Sequence, residues 1–396
     1  MLKVFIFLFP IIINFLGGGM SFITANRFTE AGASKFFVAS TQGVWACGYF
    51  FTSLLLGKII TEKRAVPFIL TAACLLSVFS LGFIAVPGTN FQFIWILLYG
   101  FAMALYCSPF QIFMKRIGGG NRGVIYSTAM YTWSWSFGNA IGPFMFGLIP
   151  TWQAGFLLNA AMALVLAGLV IWTNHLVNKR EASAQQELPS PSGLMDTSTN
   201  PYDGRPDLAW LGWLGLCVGL SVLSAVKTLQ QDLLNDIGID RSHSGPILSL
   251  INAVQAFAAL SWIRAKTFVY KPLPCILSGV IGFISLAMMT MTQSRELFYL
   301  ISGTYGIYTG YFYFMLVFHA LVHPTKSAKY ATINETFVGI VAVVSSPLSG
   351  LLAQATSVKF VFGTGAILTL LVTAIQFPVL LKTDRAFMAA KRLSKG

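Results

Sequence analysis

The hydrophobic residues of this chain fall into long runs that short polar clusters separate. About 20 apolar residues, rising 1.5 Å each in an α-helix, cross a hydrocarbon layer of about 30 Å. The runs do not show the alternation of membrane β-strands. Because a backbone in lipid must satisfy its own hydrogen bonds, the pattern predicts membrane-spanning helices. We place twelve, at residues 4–25, 36–57, 66–86, 92–114, 124–148, 153–174, 208–230, 245–263, 273–292, 297–319, 328–352 and 359–381.

The composition supports a protein whose outer surface faces lipid. Hydrophobic residues make up 56% of the 396 residues and charged residues only 10%. A soluble domain usually carries about a quarter charged residues. The five cysteines lie in or beside apolar runs and form no CxxC pair, which predicts small buried side chains rather than a metal site. No nucleophile, base and acid are grouped, so we expect no enzymatic activity and no cofactor.

The net charge of +13 is concentrated between the apolar runs. On a soluble protein this charge would favour nucleic-acid binding. If the twelve spans alternate and both termini are cytoplasmic, 20 of the 26 Lys and Arg residues fall on the cytoplasmic side. This asymmetry is the positive-inside pattern. We therefore expect cytoplasmic termini, a bilayer rather than nucleic acid as the partner, and, from the short loops, a bacterial inner membrane.

One polar segment divides the chain. Residues 175–207 are rich in Gln, Ser and Pro, and such a composition predicts a flexible cytoplasmic linker. The division predicts a six-helix bundle over residues 1–174 and a second over residues 208–396.

The two predicted bundles resemble each other in sequence. Matching residues lie 204 positions apart and fall at equivalent places in the helices. The turn Glu30-Ala31-Gly32 also resembles Asp236-Ile237-Gly238. Two parallel six-helix repeats are a known plan of transporters. The matched pairs are Arg122 with Lys326, Tyr126 with Tyr330, Thr128 with Thr332 and Pro143 with Pro347.

Two local motifs carry a family resemblance. The loop after the second helix begins at Gly57 and continues through Lys63 and Arg64, with Thr61 where the family pattern has an aspartate. The fifth helix holds Gly138, Gly142, Pro143 and Gly147, and Pro347 lies at the equivalent place in the eleventh helix. With these motifs and its twelve predicted spans, the chain resembles the major facilitator superfamily.

The resemblance implies both a fold and a function. The implied fold is an all-α membrane protein with two pseudo-symmetric six-helix bundles. The implied function is secondary active or facilitative transport of a small organic solute by alternating access. A non-transporting solute sensor or membrane scaffold is the alternative, and the departure at Thr61 favours it. We expect the chain to act as a monomer. The gating and conformational candidates are Gly57, Arg64, Gly142, Pro143 and Pro347.

The resemblance also implies a solute path between the bundles, lined mainly by helices one, four, seven and ten. Polar groups are costly in lipid and therefore tend to face the protein interior. Tyrosine and tryptophan also populate membrane interfaces, and Lys227 could either extend its ammonium to the interface or attract an anionic solute. Aromatic faces with amides suit an uncharged or amphipathic solute. The substrate-binding candidates are Asn14, Tyr106, Trp135, Asn139, Lys227, Gln231, Asn252, Gln255 and Tyr308.

One acidic residue, Glu335, lies well inside a predicted span. It is about 8 residues past Ser327, or about 12 Å along the helix. A carboxyl at this depth can bind and release a proton, or it can serve as a hydrogen-bonded structural group. We name Glu335 as the candidate for proton coupling.

Overall fold

The computed structural model describes residues 5–118, 124–186, 206–323 and 326–393. Within these ranges every regular element is helical, and the twelve predicted spans each correspond to one α-helix. Two short 3₁₀ helices, Arg241–His243 and Lys266–Phe268, flank α8. The α-helices are α1 Leu8–Glu30, α2 Lys35–Ile59, α3 Glu62–Ala85, α4 Thr89–Gly118, α5 Val124–Gly147, α6 Trp152–Gln186, α7 Ala209–Asp236, α8 Ser244–Ser261, α9 Pro272–Met291, α10 Arg295–Leu321, α11 Ser327–Ala355 and α12 Val358–Leu393.

Eight helices are long and apolar enough in their described residues to cross a membrane. They are α1, α3, α6, α7, α8, α9, α11 and α12. Three others, α2, α5 and α10, are long enough but have a lower mean hydropathy, because they carry more Tyr, Trp, Gly and Ser. The described apolar stretch of α4, Phe91–Cys107, is shorter than these spans.

The last helix of the first half is longer than the sequence predicts. α6 continues to Gln186, so residues 175–186 of the expected linker are helical. This segment contains Glu, Ala and Gln, which favour helix over coil. Residues 187–205, the rest of the expected linker, lie outside the described residues, as does Arg122 of the repeat.

Equivalent turns support the internal repeat. Gly32 follows α1 with φ of 70°, and Gly238 follows α7 with φ of 73°. A left-handed residue after a helix is a common end signal, and glycine adopts it without a steric penalty. The turns that the sequence matched therefore share one backbone conformation. We call α1–α6 the N-terminal half and α7–α12 the C-terminal half.

Glycines allow helix backbones to touch in both halves. A Cβ on Gly48 of α2 would lie 2.1 Å from the Leu97 carbonyl oxygen, and one on Gly100 of α4 would lie 2.0 Å from that of Trp45. In the C-terminal half, a Cβ on Gly306 of α10 would lie 2.4 Å from the carbonyl oxygen of Ile251 in α8. Small residues give membrane helices the close packing that the hydrophobic effect does not provide between them in lipid.

The residues just before α7 hold that helix against α11. Asp207 accepts hydrogen bonds from the Tyr330 hydroxyl at 2.5 Å and from the Ala209 amide at 3.1 Å. Burial raises the pKa of Asp207, but these hydrogen bonds and the nearby His323 and Lys326 outweigh it and keep the pKa below its usual value. The stability that this contact adds is therefore present at neutral pH and is lost only in acid, below the usual carboxyl range.

Consecutive helices run in opposite directions, so we name two sides of the bundle. The termini side is the side on which α1 begins and α12 ends. The far side is the one on which α1 ends and α2 begins.

Candidate functional site

Two predicted asparagines meet inside the N-terminal half. The Asn139 amide donates to the Asn14 Oδ1 at 3.1 Å and to the Trp135 carbonyl at 3.2 Å. Asn14 in turn donates to the Pro10 carbonyl at 2.9 Å. A Cβ on Gly18 would lie 3.0 Å from the Asn139 Oδ1, so glycine makes room for this pair. Both asparagines remain half-buried.

α5 also contacts α8 across the two halves. The Gln255 amide donates to the Ser136 hydroxyl at 2.7 Å. Nearer the far side, a Cβ on Gly245 would lie 2.6 Å from the Pro143 carbonyl oxygen. Gly142, beside Pro143, also approaches the α1 backbone, since a Cβ there would lie 2.9 Å from the Phe15 carbonyl oxygen. The glycine–proline motif thus lies where one helix of the N-terminal half meets the other half.

Trp135 meets Tyr313 of α10 across the two halves, while the predicted Tyr308 lies on another face of α10. The Trp135 and Tyr313 rings meet edge to face with centroids 4.6 Å apart. Tyr308 lies about 140° further round α10, at 100° per residue. There it packs against Gly282 of α9 and beside Thr369 of α12, within its own half. The spacing of aromatic residues did not reveal which face of α10 meets α5.

Three other predicted residues are buried and have polar atoms without a hydrogen-bond partner among the described residues. The Tyr106 ring stacks on Phe110 with centroids 5.3 Å apart, and its hydroxyl has no partner in the part of the chain that the structure describes. Asn252 donates to the Leu248 carbonyl at 2.8 Å, which leaves its Oδ1 without a partner. Gln255 likewise keeps a free Oε1. Since a buried polar group without a partner costs about 1–3 kcal/mol, such atoms are suited to a ligand or water.

The longest contact between the halves runs along α2 and α11. On the far side, a Cβ on Gly350 would lie 2.7 Å from the Ala39 Cβ. Midway, one on Gly43 would lie 2.9 Å from the Pro347 ring. Towards the termini side, one on Gly339 would lie 2.8 Å from the Phe50 Cβ. The predicted Pro347 is therefore part of a contact that extends through most of the membrane-spanning length.

Glu335 lies in this same contact. Its carboxylate accepts a hydrogen bond of 2.5 Å from the hydroxyl of Tyr49 in α2. The Tyr49 ring stacks on Trp45 with centroids 5.2 Å apart, and the Cys107 thiol of α4 lies within hydrogen-bonding reach of Tyr49. Tyr49 is buried and Glu335 half-buried. The one acidic group of α11 thus joins the two halves directly.

The loop after α2 makes a local contact. Gly57 lies in the last turns of α2 and Arg64 in the first turn of α3. The Arg64 guanidinium is exposed and donates to the Ile59 carbonyl at 3.4 Å, within the same loop. The hydrogen bond between the two halves is made instead by Tyr49, which lies within α2 and not in this loop.

α7 brings a cation into the membrane region. Lys227 is half-buried, and no described carboxylate lies within 4.0 Å of its ammonium. One turn further on, Gln230 and Gln231 are both buried. Within the described ranges, neither the amide nitrogen nor the oxygen of Gln230 has a hydrogen-bond partner, nor does the Gln231 Oε1. Three polar side chains therefore lie together on one stretch of α7 with unused hydrogen-bonding capacity.

The described residues also include two concave regions outside these contacts. A cavity of about 20 Å³, room for one water, lies in the C-terminal half beside His319, Gln376 and Tyr311. A shallow apolar groove of about 330 Å³ follows α5 and α8. In the described part of the chain, no three His, Cys, Asp or Glu residues are placed to hold a metal.

A sequence model described as Major Facilitator Superfamily matches residues 7–328. The chain belongs to the major facilitator superfamily. No curated protein matches the sequence.

Solved structures of other superfamily transporters have a similar fold. The nucleoside transporter NupG is 14% identical, with a TM-score of 0.70 over 96% of this chain and 99% of that one. A bacterial homologue of the human lysosomal transporter Spinster, inward-facing and occupied, is 11% identical, with a TM-score of 0.64 over 98% of this chain and 97% of that one. These comparisons confirm the predicted family and the twelve-helix fold.

For this superfamily member, sequence reasoning missed the partners of its predicted residues. Ser136, Tyr313 and Tyr49 each contact a predicted residue across the two halves. Ser136 and Tyr49 lie within spans, as the predicted residues do, but serine and tyrosine are common there. Only the packing of one half against the other distinguishes them.

Proposed function

We propose that this superfamily member carries a small organic solute across a bilayer by alternating access, as a secondary active or facilitative transporter. The observation that carries the proposal is the nature of the contact between the halves. Glycine and proline surfaces form much of it, and the side-chain hydrogen bonds that cross it among the described residues include Tyr49–Glu335 and Gln255–Ser136. Such a contact can separate on one side and close on the other at low energetic cost.

The proposal includes the orientation and the setting. The termini side is cytoplasmic, as the distribution of Lys and Arg predicts, and the membrane is the bacterial inner membrane. The chain acts as a monomer. Cysteine labelling from either side of sealed vesicles, at position 396 and at an exposed far-side position such as Arg295, tests the orientation. Labelling of both positions from the same side would contradict it.

Reconstituted vesicles test transport itself. Purified protein in proteoliposomes should give saturable flux of at least one solute from a panel of nucleosides, sugars and amphipathic organic compounds. Nucleosides belong in the panel because NupG shares the fold. Flux equal to that of empty vesicles for every solute would contradict transport.

A non-transporting sensor or scaffold is the second candidate. The loop after α2 favours it, because Thr61 replaces the aspartate of the family pattern and Arg64 bonds within its own loop. Saturable solute binding without flux in the same vesicles would support this candidate over the first.

The proposal places the Asn14–Asn139 pair in the solute path. We expect Asn139→Leu to raise KM about two- to tenfold, because a net hydrogen bond is worth about 0.5–1.5 kcal/mol. Asn159→Leu is the matched control, since the Asn159 side chain bonds Tyr99, Ser80 and the Leu16 carbonyl inside the N-terminal half. This control should lower Tm with a smaller effect on KM. Equal effects of both variants on Tm, with KM unchanged by Asn139→Leu, would remove Asn139 from the path.

A further inference from the structure

The contacts of neighbouring residues give the direction of Lys227 around α7. Val222 contacts Gly365 of α12, and Gly219 packs against Phe312 of α10. At about 100° per residue, Lys227 lies about 140° round α7 from Val222 and about 80° from Gly219. It is therefore on the side away from α12. α1 and α2 of the other half also contact α7.

An electrostatic interaction between α7 and α2 relates the depth of Lys227 to that of Gln42. Asp232 of α7 lies within electrostatic range of Lys35 at the start of α2. Lys227 is five residues further into the membrane than Asp232, or about 7.5 Å, and Gln42 is seven residues further in than Lys35, or about 10.5 Å. Lys227 and Gln42 thus lie at similar depths.

Gln42 also lies on the side of α2 that is turned towards α7. It lies about 20° round α2 from Lys35, so both are on the face turned towards α7. The Ser21 hydroxyl of α1 lies 3.5 Å from the Gln42 Oε1, and both side chains are half-buried. A polar pair of the N-terminal half therefore lies opposite the lysine of the C-terminal half.

The charge near Lys227 is not balanced by the described protein. Asp232, the nearest acidic residue along α7, is about 140° round the helix and lies beside Lys35 instead. Glu335 is bonded to Tyr49, towards the termini side. An ammonium removed from water without a counter-ion is costly. A ligand with a negative charge would remove that cost, and the amides of Gln230 and Gln231 can donate to its oxygen atoms.

We infer that Lys227, with Gln231 and Gln42, binds an anionic group of the transported solute, a carboxylate or a phosphate. The inference rests on the proposed function and narrows its substrate class to organic anions. The amphipathic solute that the aromatic residues suit would place its charge at Lys227 and its apolar part towards Trp135 and Tyr313.

The test measures the electrostatic field at Gln42 and does not require the solute to be known. In a background without the five native cysteines, Gln42→Cys is modified with two methanethiosulfonate reagents, one bearing a sulfonate and one a trimethylammonium group. Relative to the rates of the two reagents with a free thiol in solution, the sulfonate reagent should be favoured. Lys227→Gln should lower the ratio of the two rates about tenfold, and Lys227→Arg should preserve it.

Two results would overturn the inference: a rate ratio that Lys227→Gln leaves unchanged, or a cysteine at position 42 that neither reagent reaches from either side. Flux measurements separate this outcome from failure of the proposed function. Solute flux that persists unchanged in Lys227→Gln would remove the anion site while leaving transport intact. Absence of flux in the unmodified protein would remove transport, and the labelling ratio would still decide whether an anion site exists.

Discussion

Glutamine in place of Glu335 is expected to abolish the stimulation of solute flux by a pH gradient across the proteoliposome membrane. The half-buried carboxyl lies about 12 Å along α11 and accepts a hydrogen bond from Tyr49 of the other half. Proton binding at this position would change the contact between α2 and α11, and glutamine cannot ionise. Solute flux driven by the solute's own gradient should persist, since the oxygen of the introduced amide can still accept the Tyr49 hydrogen bond.

Tyr49→Phe removes the hydrogen bond between the halves and leaves the Glu335 carboxyl in place. A hydrogen bond to a charged group is worth about 1.5–3 kcal/mol, so its loss should shift the equilibrium between open and closed states roughly ten- to hundredfold. The pH response should remain, because Glu335 is intact. Glu296→Gln is the control for charge alone, since Glu296 is exposed at the start of α10. Full pH-dependent flux in Glu335→Gln would eliminate Glu335 as the coupling group.

Valine in place of Gly48 should strongly destabilise the N-terminal half. A Cβ at this position would lie 2.1 Å from the Leu97 carbonyl oxygen, and backbone cannot move aside as a flexible side chain can. Overpacking typically costs about 1–3 kcal/mol and occasionally more. We expect a clearly lower Tm in detergent and little monodisperse protein in size-exclusion chromatography.

Gly168 provides the matched control for this substitution. It lies in α6, and a Cβ there would have no neighbour within 4 Å. Gly168→Val should therefore leave Tm nearly unchanged. Equal losses in both variants would mean that valine harms these helices generally, and that the close α2–α4 contact is not the cause.

Much of the fold could be predicted because its cause is local. A helix that spans lipid must be apolar over its own length, so the twelve helices are visible in the hydrophobic pattern. The turns at Gly32 and Gly238 depend on one residue each. The end of α6 was less predictable, because the segment to Gln186 is polar yet has good helix formers.

The candidate site was less predictable because its contacts join distant parts of the chain. The sequence picked out Glu335 by its depth and Asn139 by its place in a polar stripe. It did not indicate that Tyr49 would bond the first or Asn14 the second. Tyr308 and Tyr313 both lie in the apolar part of α10. Tyr308 packs towards α9 and α12 and Tyr313 packs against α5, and only this packing shows which side of α10 each tyrosine occupies.

Disulfides across α2 and α11 test the alternating movement of the two halves most directly. A disulfide needs Cβ atoms about 3.5–4.5 Å apart, so pairs now at 2.7 and 2.8 Å require the two helices to move apart by about 1 Å, which also clears the Lys35 carbonyl oxygen 2.6 Å from a Cβ at Gly350. Ala39→Cys with Gly350→Cys would link the far side, and Phe50→Cys with Gly339→Cys would link the half nearer the termini side.

We predict that complete oxidation of either pair, in a background without the native cysteines, reduces solute flux to that of empty vesicles, and that a reductant restores it. The single-cysteine variants should transport under both conditions. Alternating access between these two halves would be contradicted if flux stayed undiminished both in the variant with a fully linked far-side pair and in the variant with a fully linked termini-side pair.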